Sequence, residues 1–265
     1  MDWFVGGDRR AFWTVEYLRK NGLDIHCHGV PDVEEEPLPE RISCLFLPMP
    51  FTDPRDTLEQ VLPLLQEESI VVGGSLGECA EKIRAFGANV IDLHGAEPLT
   101  TLNAVATAEG AVALLILESE ITLWESEVLV IGAGRIGMLL AERLRDLGAR
   151  VTVSARSRRD LAKIRALGMR TERTGNFEKS MGVYDFVINT VPAPVLENHH
   201  LQELKKSCIL LELASYPGGF SMEDCKNLGL KGIHGGGLPG RFSPKTAGEL
   251  YGEALLEACK KEGSL

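Results

Sequence analysis

The chain has 265 residues, of which 44% are hydrophobic and 25% are charged, a balance typical of a folded globular protein with room for two domains. Its net charge of −10 argues against nucleic acid or an anionic membrane as a partner, so an anionic substrate would need local cationic side chains or helix N-termini. No apolar run approaches the length of a membrane span and no signal peptide is visible, so we expect a cytoplasmic protein.

The first part of the chain alternates short apolar runs with helical patterns, which predicts parallel β-α-β units in a flavodoxin-like or Rossmann-like layer. The predicted strands are 2–5, 23–29, 43–47, 70–72 and 89–93. The predicted helices are 12–18, 58–65 and 79–86, and the acidic, proline-rich segment 31–40 is predicted to be a loop.

Two glycines follow the first predicted strand. Gly6 and Gly7 clear space at the carboxyl end of the strand, where ligands bind in sheets of this kind. Arg9 can hold a carboxylate through two parallel hydrogen bonds. We therefore predict that Gly7 and Arg9 bind substrate. The alternative is a glycine turn before a solvent-facing helix start.

The six cysteines are scattered without a C-x-x-C pair, which is typical of buried, reduced thiols. His26, Cys27 and His28 alternate along a predicted strand, so neighbouring side chains point to opposite faces and do not converge on one ion. We expect no bound metal.

A long, alanine-rich helix is predicted over 100–117, with one of its first two threonines as the N-cap. Asn103, Thr107 and Gly110 fall on one face of this helix. A polar stripe on an apolar helix suggests the wall of a cleft between domains, so Asn103 and Thr107 are predicted substrate contacts. The alternative is that these residues satisfy neighbouring backbone groups.

The most informative stretch, 127–158, reads as strand, glycine turn, helix and strand. An apolar run over 128–131 ends in the G-x-G-x-x-G motif of Gly132, Gly134 and Gly137. In this context the motif predicts dinucleotide binding, because the first glycine permits the tight turn, the second lets the main chain approach a pyrophosphate, and the third lets the helix pack close to the strand. The alternative is a tight turn without a ligand.

The helix after this turn offers free N–H groups and the positive end of its dipole to phosphate groups. Arg135 adds charge there or is simply a solvated helix residue. The predicted cofactor contacts in the turn are Gly132, Ala133, Gly134, Arg135 and Ile136.

The end of the next strand predicts which dinucleotide binds. NAD sites usually place Asp or Glu there to bond the ribose 2′-hydroxyl, whereas this chain shows no acid across 154–157. Arg and Ser bind a 2′-phosphate through charge-assisted hydrogen bonds, so we expect NADP, with Ser154, Arg156 and Ser157 as contacts. The alternative is an ordinary exposed basic turn.

The rest of the chain continues the alternation. We predict a helix over 158–167, strands over 184–188, 209–213 and 232–234, and a closing amphipathic helix over 245–258. The loop after 184–188 lies along the cofactor in Rossmann enzymes, so Thr190, Val191 and Pro192 are predicted cofactor contacts.

Together these elements predict an α/β protein with two Rossmann-like domains, each with a parallel sheet. Residues 1–118 are predicted to form a substrate domain that includes the connecting helix. Residues 119–245 are predicted to form the NADP-binding domain, and 246–265 a C-terminal helix that packs back on the first domain.

Three segments resemble the A subunit of dipicolinate synthase. They are NAVATAEGA over 103–111, NTVPAPVL over 189–196 with LASYPGG over 213–219, and GLPGRFSPKTAG over 237–248. With the first glycine pair, the likeness follows the chain in order, and it is weakest over 31–68.

The resemblance implies a two-domain fold like that of the formate and glycerate dehydrogenases. It implies NADP-dependent oxidation of a 4-hydroxy-tetrahydrodipicolinate ring to pyridine-2,6-dicarboxylate, a product that accumulates in bacterial endospores during sporulation. It also implies that the partner is a flavoprotein-like B subunit, and a homo-oligomer is expected for this fold.

A substrate with two carboxylates needs cationic or N–H donors and a base. The predicted donors are Arg9, Lys245, Arg241 and the glycine-rich loop 235–237, which contains Gly236. His234 and Glu109 are the predicted acid–base residues, since His is suited to proton transfer near neutral pH. The alternatives are that His234 merely ends a strand and that Glu109 is a buried helix partner.

Two other functions stay open at this point. One is another NADP-dependent two-domain dehydrogenase, of the hydroxyacid or methylene-tetrahydrofolate type. The arginine expected of hydroxyacid enzymes is absent from the strand end at 213–215, which counts against it. The other is a non-catalytic NADP-binding protein that serves as a partner or sensor.

Overall fold

The protein folds into two α/β units, each a parallel sheet flanked by helices, which confirms the predicted fold class. The computed structural model describes residues 1–51, 57–177 and 181–261. The first unit comprises Met1–Asn103 and Pro239–Leu265, and the second comprises Ala104–Leu238. The division falls inside the long connecting helix, whereas the sequence places it at 118–119. The last four residues of the predicted C-terminal segment lie outside the described residues.

The first unit is built on five parallel strands. They are β1 (Asp2–Val5), β2 (Ile25–His28), β3 (Ile42–Phe46), β4 (Leu65–Gly73) and β5 (Asn89–Asp92). Helices α1 (Arg9–Lys20), α2 (Thr57–Val61) and α3 (Glu78–Ala85) connect them. The strand order is β2-β1-β3-β4-β5, the flavodoxin-like order, whose direction of winding reverses between β1 and β3.

The connecting helix, α4 (Glu97–Glu118), begins earlier than predicted, so the predicted threonine N-cap is wrong. Pro98 lies in its first turn, where a proline is favoured because its N–H group is not needed. The Thr100 hydroxyl donates to the Ala96 carbonyl at 3.1 Å inside the helix instead of capping it.

By length and composition alone, α4 is able to cross a membrane, since an 18-residue window reaches a mean hydropathy of 1.5. The sequence expectation that no apolar run is long enough does not hold for this helix. Buried residues make up 44% of the window, and the core helix of a soluble protein passes the same test.

The second unit holds six parallel strands. They are β6 (Glu127–Ile131), β7 (Arg150–Ala155), β8 (Arg170–Arg173), β9 (Phe186–Asn189), β10 (Ile209–Glu212) and β11 (Lys231–His234). Helices α5 (Arg135–Asp146), α6 (Arg158–Ala166), α7 (Asn198–Gln202) and α8 (Met222–Asn227) flank the sheet. The order β11-β10-β9-β6-β7-β8 is that of a doubly wound dinucleotide-binding fold. The short helices α7 and α8 are not predicted from the sequence, because five or six residues show too little periodicity.

The strand before the glycine turn is the centre of the second sheet. Val128, Leu129, Val130 and Ile131 are all fully buried, which is why the run is apolar at every position rather than at alternate ones. Helix α5 buries Leu140 and Leu144 at the i, i+4 spacing expected of a core-facing helix.

The chain returns to the first unit through α9 (Leu238–Phe242) and α10 (Pro244–Lys261). Helix α10 lies directly on α1. The Thr14 hydroxyl donates to the Gly248 carbonyl at 3.0 Å, and a Cβ at Gly248 would overlap the Arg10 carbonyl oxygen. The C-terminal helix is therefore part of the core of the first unit.

Candidate functional site

The second sheet reverses its direction of winding between β6 and β9, and ligands of doubly wound sheets bind in the crevice at such a point. The glycine turn 132–137 follows β6, and the segment 190–192 follows β9. The structure brings these two predicted groups of cofactor contacts together, because a Cβ at Gly132 would overlap the Thr190 hydroxyl and lie 2.9 Å from the Val191 Cγ2.

The three motif glycines occupy positions with different requirements. Gly132 has φ of +106°, a conformation that side chains other than glycine rarely adopt. A Cβ at Gly137 would overlap the Gly132 carbonyl oxygen, so α5 packs tightly against the turn. At Gly134 a Cβ would meet nothing within 4 Å, so the main chain faces open space there.

Helix α5 begins without a side-chain cap and without an acid in its first turn. Its first N–H groups therefore point, with the positive end of the helix dipole, at the space beside Gly134. This is the arrangement that holds a pyrophosphate in dinucleotide sites, so these residues fit such a group. Ala133 and Ile136 are half-buried in the same turn, and Arg135 is exposed.

At the tip after β7, one of the three predicted cofactor contacts, Ser154, does not face the ligand side. Ser154 is fully buried and its hydroxyl lies 2.9 Å from Thr174 Oγ1, so its side chain faces the core and not a ligand. Ser157 caps α6 and donates to Asp160 Oδ2 at 2.6 Å. Arg156 is exposed, so its cationic side chain is accessible at this tip.

The carboxyl ends of β9 and β10 carry a buried polar pair that is not among the predicted site residues. Asn189 and Glu212 end these strands, lie side by side in the sheet register, and are 0% and 3% exposed. The Asn189 amide donates to the Glu212 carboxylate at 2.7 Å. The signal was present in the sequence as a polar residue that closes each of two otherwise apolar runs.

The first sheet has its own reversal point between β1 and β3. Gly7 is exposed with φ of +108°, and Arg9 is exposed at the start of α1. Arg10, not Arg9, turns towards the strand ends and binds both oxygens of Asp8 at 2.7–3.1 Å. Burial alone would raise the pKa of Asp8, but the hydrogen bonds from Arg10 hold that pKa below its usual range.

A small cavity lies at this reversal point within the first unit. Asp8, Arg10, Met49, Asn103 and Tyr251 are among the residues that line it. The Tyr251 hydroxyl donates to the Leu47 carbonyl at 2.6 Å, and burial raises the pKa of this phenol. The predicted contact at Asn103 therefore lies at a cavity whose lining is mostly apolar, with polar groups from Asp8 and Arg10.

The other predicted substrate residues are not among the described residues that line this cavity. Thr107 is 9% exposed in the second unit, so it is largely a core residue. Lys245 is exposed on α10, where its ammonium lies 5.2 Å from the centre of the Trp13 ring. Gly236 is exposed after β11, and a Cβ there would meet nothing within 4 Å.

The two predicted acid–base residues both lie in the second unit. His234 ends the edge strand β11 and is exposed. Glu109 is exposed on α4 and forms an ion pair with Arg143 of α5 at 3.5 Å. The expectation that Glu109 is a buried helix partner is half right, because it does contact a neighbouring helix but at the surface.

Known proteins resemble this chain in sequence and in fold. A family model for the D-isomer specific 2-hydroxyacid dehydrogenase, NAD binding domain, matches residues 116–215. The dipicolinate synthase A subunit of Bacillus subtilis (strain 168) is 28% identical over 276 residues, which cover 95% of this chain and 93% of the relative. The predicted resemblance to this protein is confirmed.

Solved structures agree. The crystal structure of the dipicolinate synthase A subunit from Bacillus halodurans matches with a TM-score of 0.81 and 26% identity over 97% of each chain. A transhydrogenase from Sinorhizobium meliloti matches with a TM-score of 0.72 and 16% identity over 98% of this chain and 94% of that one, which shows the fold alone. The dehydrogenase-type domain supports an oxidoreductase with a nicotinamide cofactor.

Proposed function

We propose that this chain is the dehydrogenase component of a dipicolinate synthase and that it uses NADP. The proposal is carried by the likeness to the Bacillus subtilis protein across 95% of the chain. The glycine turn supports it, since its main chain and the start of α5 provide a site for a pyrophosphate.

The proposed substrate is 4-hydroxy-tetrahydrodipicolinate. Its ring loses water, and the resulting dihydro ring then loses one hydride and one proton to become pyridine-2,6-dicarboxylate. A bound NADP supplies the hydride acceptor, while the protein supplies orientation and charge. The proposed donors to the two carboxylates are Arg9, Lys245 and the main chain at Gly236, all of which are exposed.

His234 is the better candidate of the two for accepting the ring proton. Its imidazole is exposed at the carboxyl end of a strand and, within the described ranges of the chain, makes no hydrogen bond or ion pair. Glu109 already holds Arg143, so its carboxylate is engaged. A His base is also matched to neutral pH.

The preference for NADP is supported by charge at the tip after β7. Arg156 is exposed, and Arg158 and Arg159 follow it in the first turn of α6. Asp160 is an acid close to this tip, but it accepts from Ser157 and lies 3.9 Å from Lys163. A 2′-phosphate would therefore meet a net positive surface.

The relatives are named as subunits, so the proposal extends to a partner. We infer a homo-oligomer of this chain, a cytoplasmic location, a role in sporulation and a partner that is a flavoprotein-like B subunit.

The match to a hydroxyacid dehydrogenase domain favours a second candidate, another NADP-dependent dehydrogenase of this fold. Leu213 and Ala214 stand at the strand end where such enzymes carry an arginine, which counts against it.

The test combines the purified chain, with and without the B subunit, with freshly made lysine-pathway precursor and NADP. Absorbance of the reduced cofactor and of dipicolinate is followed. Product from the chain alone supports a single-chain enzyme, and product only with the partner supports a heteromeric one. No product in either mixture overturns the proposal and favours a role as a sensor.

A further inference from the structure

Glu212 is a buried carboxylate at the end of β10. Only 3% of its surface is exposed, and its oxygens accept from the Asn189 amide at 2.7 Å, the Ala214 N–H at 2.9 Å and the Gly219 N–H at 2.7 Å. All of these partners are neutral N–H donors; among the described residues no Lys or Arg binds it. Burying a carboxylate costs free energy, and the surrounding N–H donors are what offset that cost here. The carboxylate in turn fixes the position of each donor.

The Asn189 side chain is one arm of this network. Its Nδ2 donates to the Val191 carbonyl at 2.8 Å as well as to Glu212, and its Oδ1 accepts from the Val191 N–H at 3.1 Å. Both backbone groups of Val191 are therefore held by one amide, whose orientation is in turn held by the carboxylate. The turn after β9 is fixed in this way.

The Gly219 backbone is the second arm. While its N–H donates to Glu212, its carbonyl accepts from the N–H groups of Val195 and Leu196, each at 2.9 Å. No larger residue fits at this position, since a Cβ on Gly219 would overlap the Asn189 amide. The carboxylate thus ties the loop after β10 to the loop after β9.

The strand order reverses between β6 and β9, and strands β9 to β11 form one half of the sheet. Both loops follow strands of this half. In doubly wound sheets the two halves each bind one mononucleotide, and the first half, which carries the glycine turn, takes the adenosine end. The second half, β9 to β11, is left for the nicotinamide end. Thr190 and Val191 lie against Gly132, so the loop that Asn189 holds begins at the junction of the two halves.

We infer that Glu212, acting through Asn189 and Gly219, is a positioning residue that holds the two loops against which the nicotinamide half of the dinucleotide binds. The inference rests on the proposed dinucleotide site. The adenosine half is bound by the glycine turn and the tip at Arg156, and does not depend on this carboxylate.

Glu212→Gln tests the inference. The amide has the shape of the carboxylate but places an NH₂ group against an N–H donor, so at least one donor loses its acceptor. Binding is measured by isothermal titration with two ligands: NADP, and 2′-phospho-ADP-ribose, which lacks the nicotinamide. We expect the affinity for NADP to fall about tenfold and that for 2′-phospho-ADP-ribose to change by less than about twofold.

Two further variants guard against a general loss of structure. Asn189→Ser removes one arm but leaves the carboxylate with both backbone donors, so it disturbs folding less and should show the same split between the ligands. Glu172→Gln is the matched control, since Glu172 is 6% exposed in the edge strand β8 of the same sheet. It should leave the ratio of the two affinities unchanged.

Equal weakening of both ligands by folded Glu212→Gln, or weakening of neither, overturns the inference. If neither Glu212→Gln nor Asn189→Ser folds, the network serves the stability of the whole unit, and the positioning role is overturned as well. A wild-type chain that binds neither ligand removes the proposed dinucleotide site itself, a result distinct from these.

Discussion

The hydroxyl of Thr190 lies where a side chain at Gly132 would have to go. Thr190 donates to the Ile131 carbonyl at 2.8 Å, and a Cβ on Gly132 would overlap its oxygen. The loop after β9 therefore closes on the glycine turn directly, with no room for even a methyl group between them. This contact joins two segments that are far apart in sequence into one side of the proposed cofactor site.

Gly132→Ala should therefore disturb both folding and binding. The alanine would need φ near +106°, which costs about 1–3 kcal/mol for a residue other than glycine, and would also displace Thr190. We expect a lower free energy of unfolding in urea and loss of detectable NADP binding by titration. A variant as stable as the wild type would contradict this account of the turn.

Gly134→Ala is the matched control within the same motif. Its φ of −80° suits any residue, and its Cβ would meet nothing within 4 Å. Stability should fall by less than about 1 kcal/mol, the range for a change at a helix N-cap. NADP affinity should still fall, because the methyl group would occupy the space that the pyrophosphate needs.

Arg156→Glu should weaken NADP selectively. Loss of a charge-assisted hydrogen bond and the new repulsion of the 2′-phosphate should lower NADP affinity by about tenfold or more, with NAD affinity unchanged or raised. Arg84→Glu, an identical charge change on an exposed helix position of the first unit, is the control. Equal effects of Arg156→Glu on both cofactors would mean that the adenosine end lies elsewhere.

The sequence predicts the second sheet well because its signals are local. An unbroken apolar run such as 128–131 predicts a strand covered on both faces, and the glycine spacing predicts the turn that follows. The sequence does not predict to which face of such a strand a given side chain points. Ser154 was expected at the ligand but faces the core, because a strand buried on both faces carries no alternation that would reveal its sides.

Contacts between side chains also escaped prediction. Asn189 and Glu212 become neighbours only through the register of β9 and β10. At the first strand end, Arg10 rather than Arg9 turns inward because it follows the helix cap Asp8 and binds it. The first outcome depends on a contact that no single segment of sequence contains, whereas the second rests on a local contact between residues two positions apart.

Arg9→Ala and Arg10→Ala should separate binding from structure at that strand end. Arg9 is exposed, so its removal should change stability by less than about 0.5 kcal/mol, while KM for the dicarboxylate rises if Arg9 binds a carboxylate. Arg10→Ala should lower stability and raise the pKa of Asp8, which loses its bidentate partner. Steady-state kinetics, denaturation and NMR titration check the three quantities. An unchanged KM in Arg9→Ala would exclude Arg9 as an anchor.

Glu36 should make the first unit sensitive to acid. Its carboxylate lies 2.7 Å from His26 Nδ1, and this hydrogen bond is the main cause that holds the pKa of Glu36 below its ordinary value of 4.5. A lowered pKa in the folded state means that the stabilisation is present above that value and is lost as the pH falls through the folded pKa.

Glu36→Gln should consequently be less stable than the wild type at neutral pH by a small margin, since the carboxylate is partly exposed and screened. The two unfolding curves should converge as the pH falls below the ordinary carboxyl range, about 4. Glu34→Gln, an exposed acid in the same loop, should not differ from the wild type at any pH. A constant difference between Glu36→Gln and the wild type down to acid pH would show that the contact is not electrostatic.

Gly248→Ala should destabilise the first unit even though alanine is the better helix former. On an exposed helix the change would stabilise by about 1 kcal/mol. Here the added Cβ would overlap the Arg10 carbonyl oxygen and lie 2.7 Å from the Trp13 Cβ, and backbone of α1 cannot move aside as a flexible side chain would. Forcing α10 and α1 apart also stretches the 3.0 Å hydrogen bond from Thr14, so the free energy of unfolding is expected to fall by about 1–3 kcal/mol.

Glu253→Ala, at an exposed position of α10, is the control and should be neutral within about 0.5 kcal/mol. Urea denaturation compares the three proteins, and a stabilised Gly248→Ala would mean that the two helices are packed less closely than the structure places them.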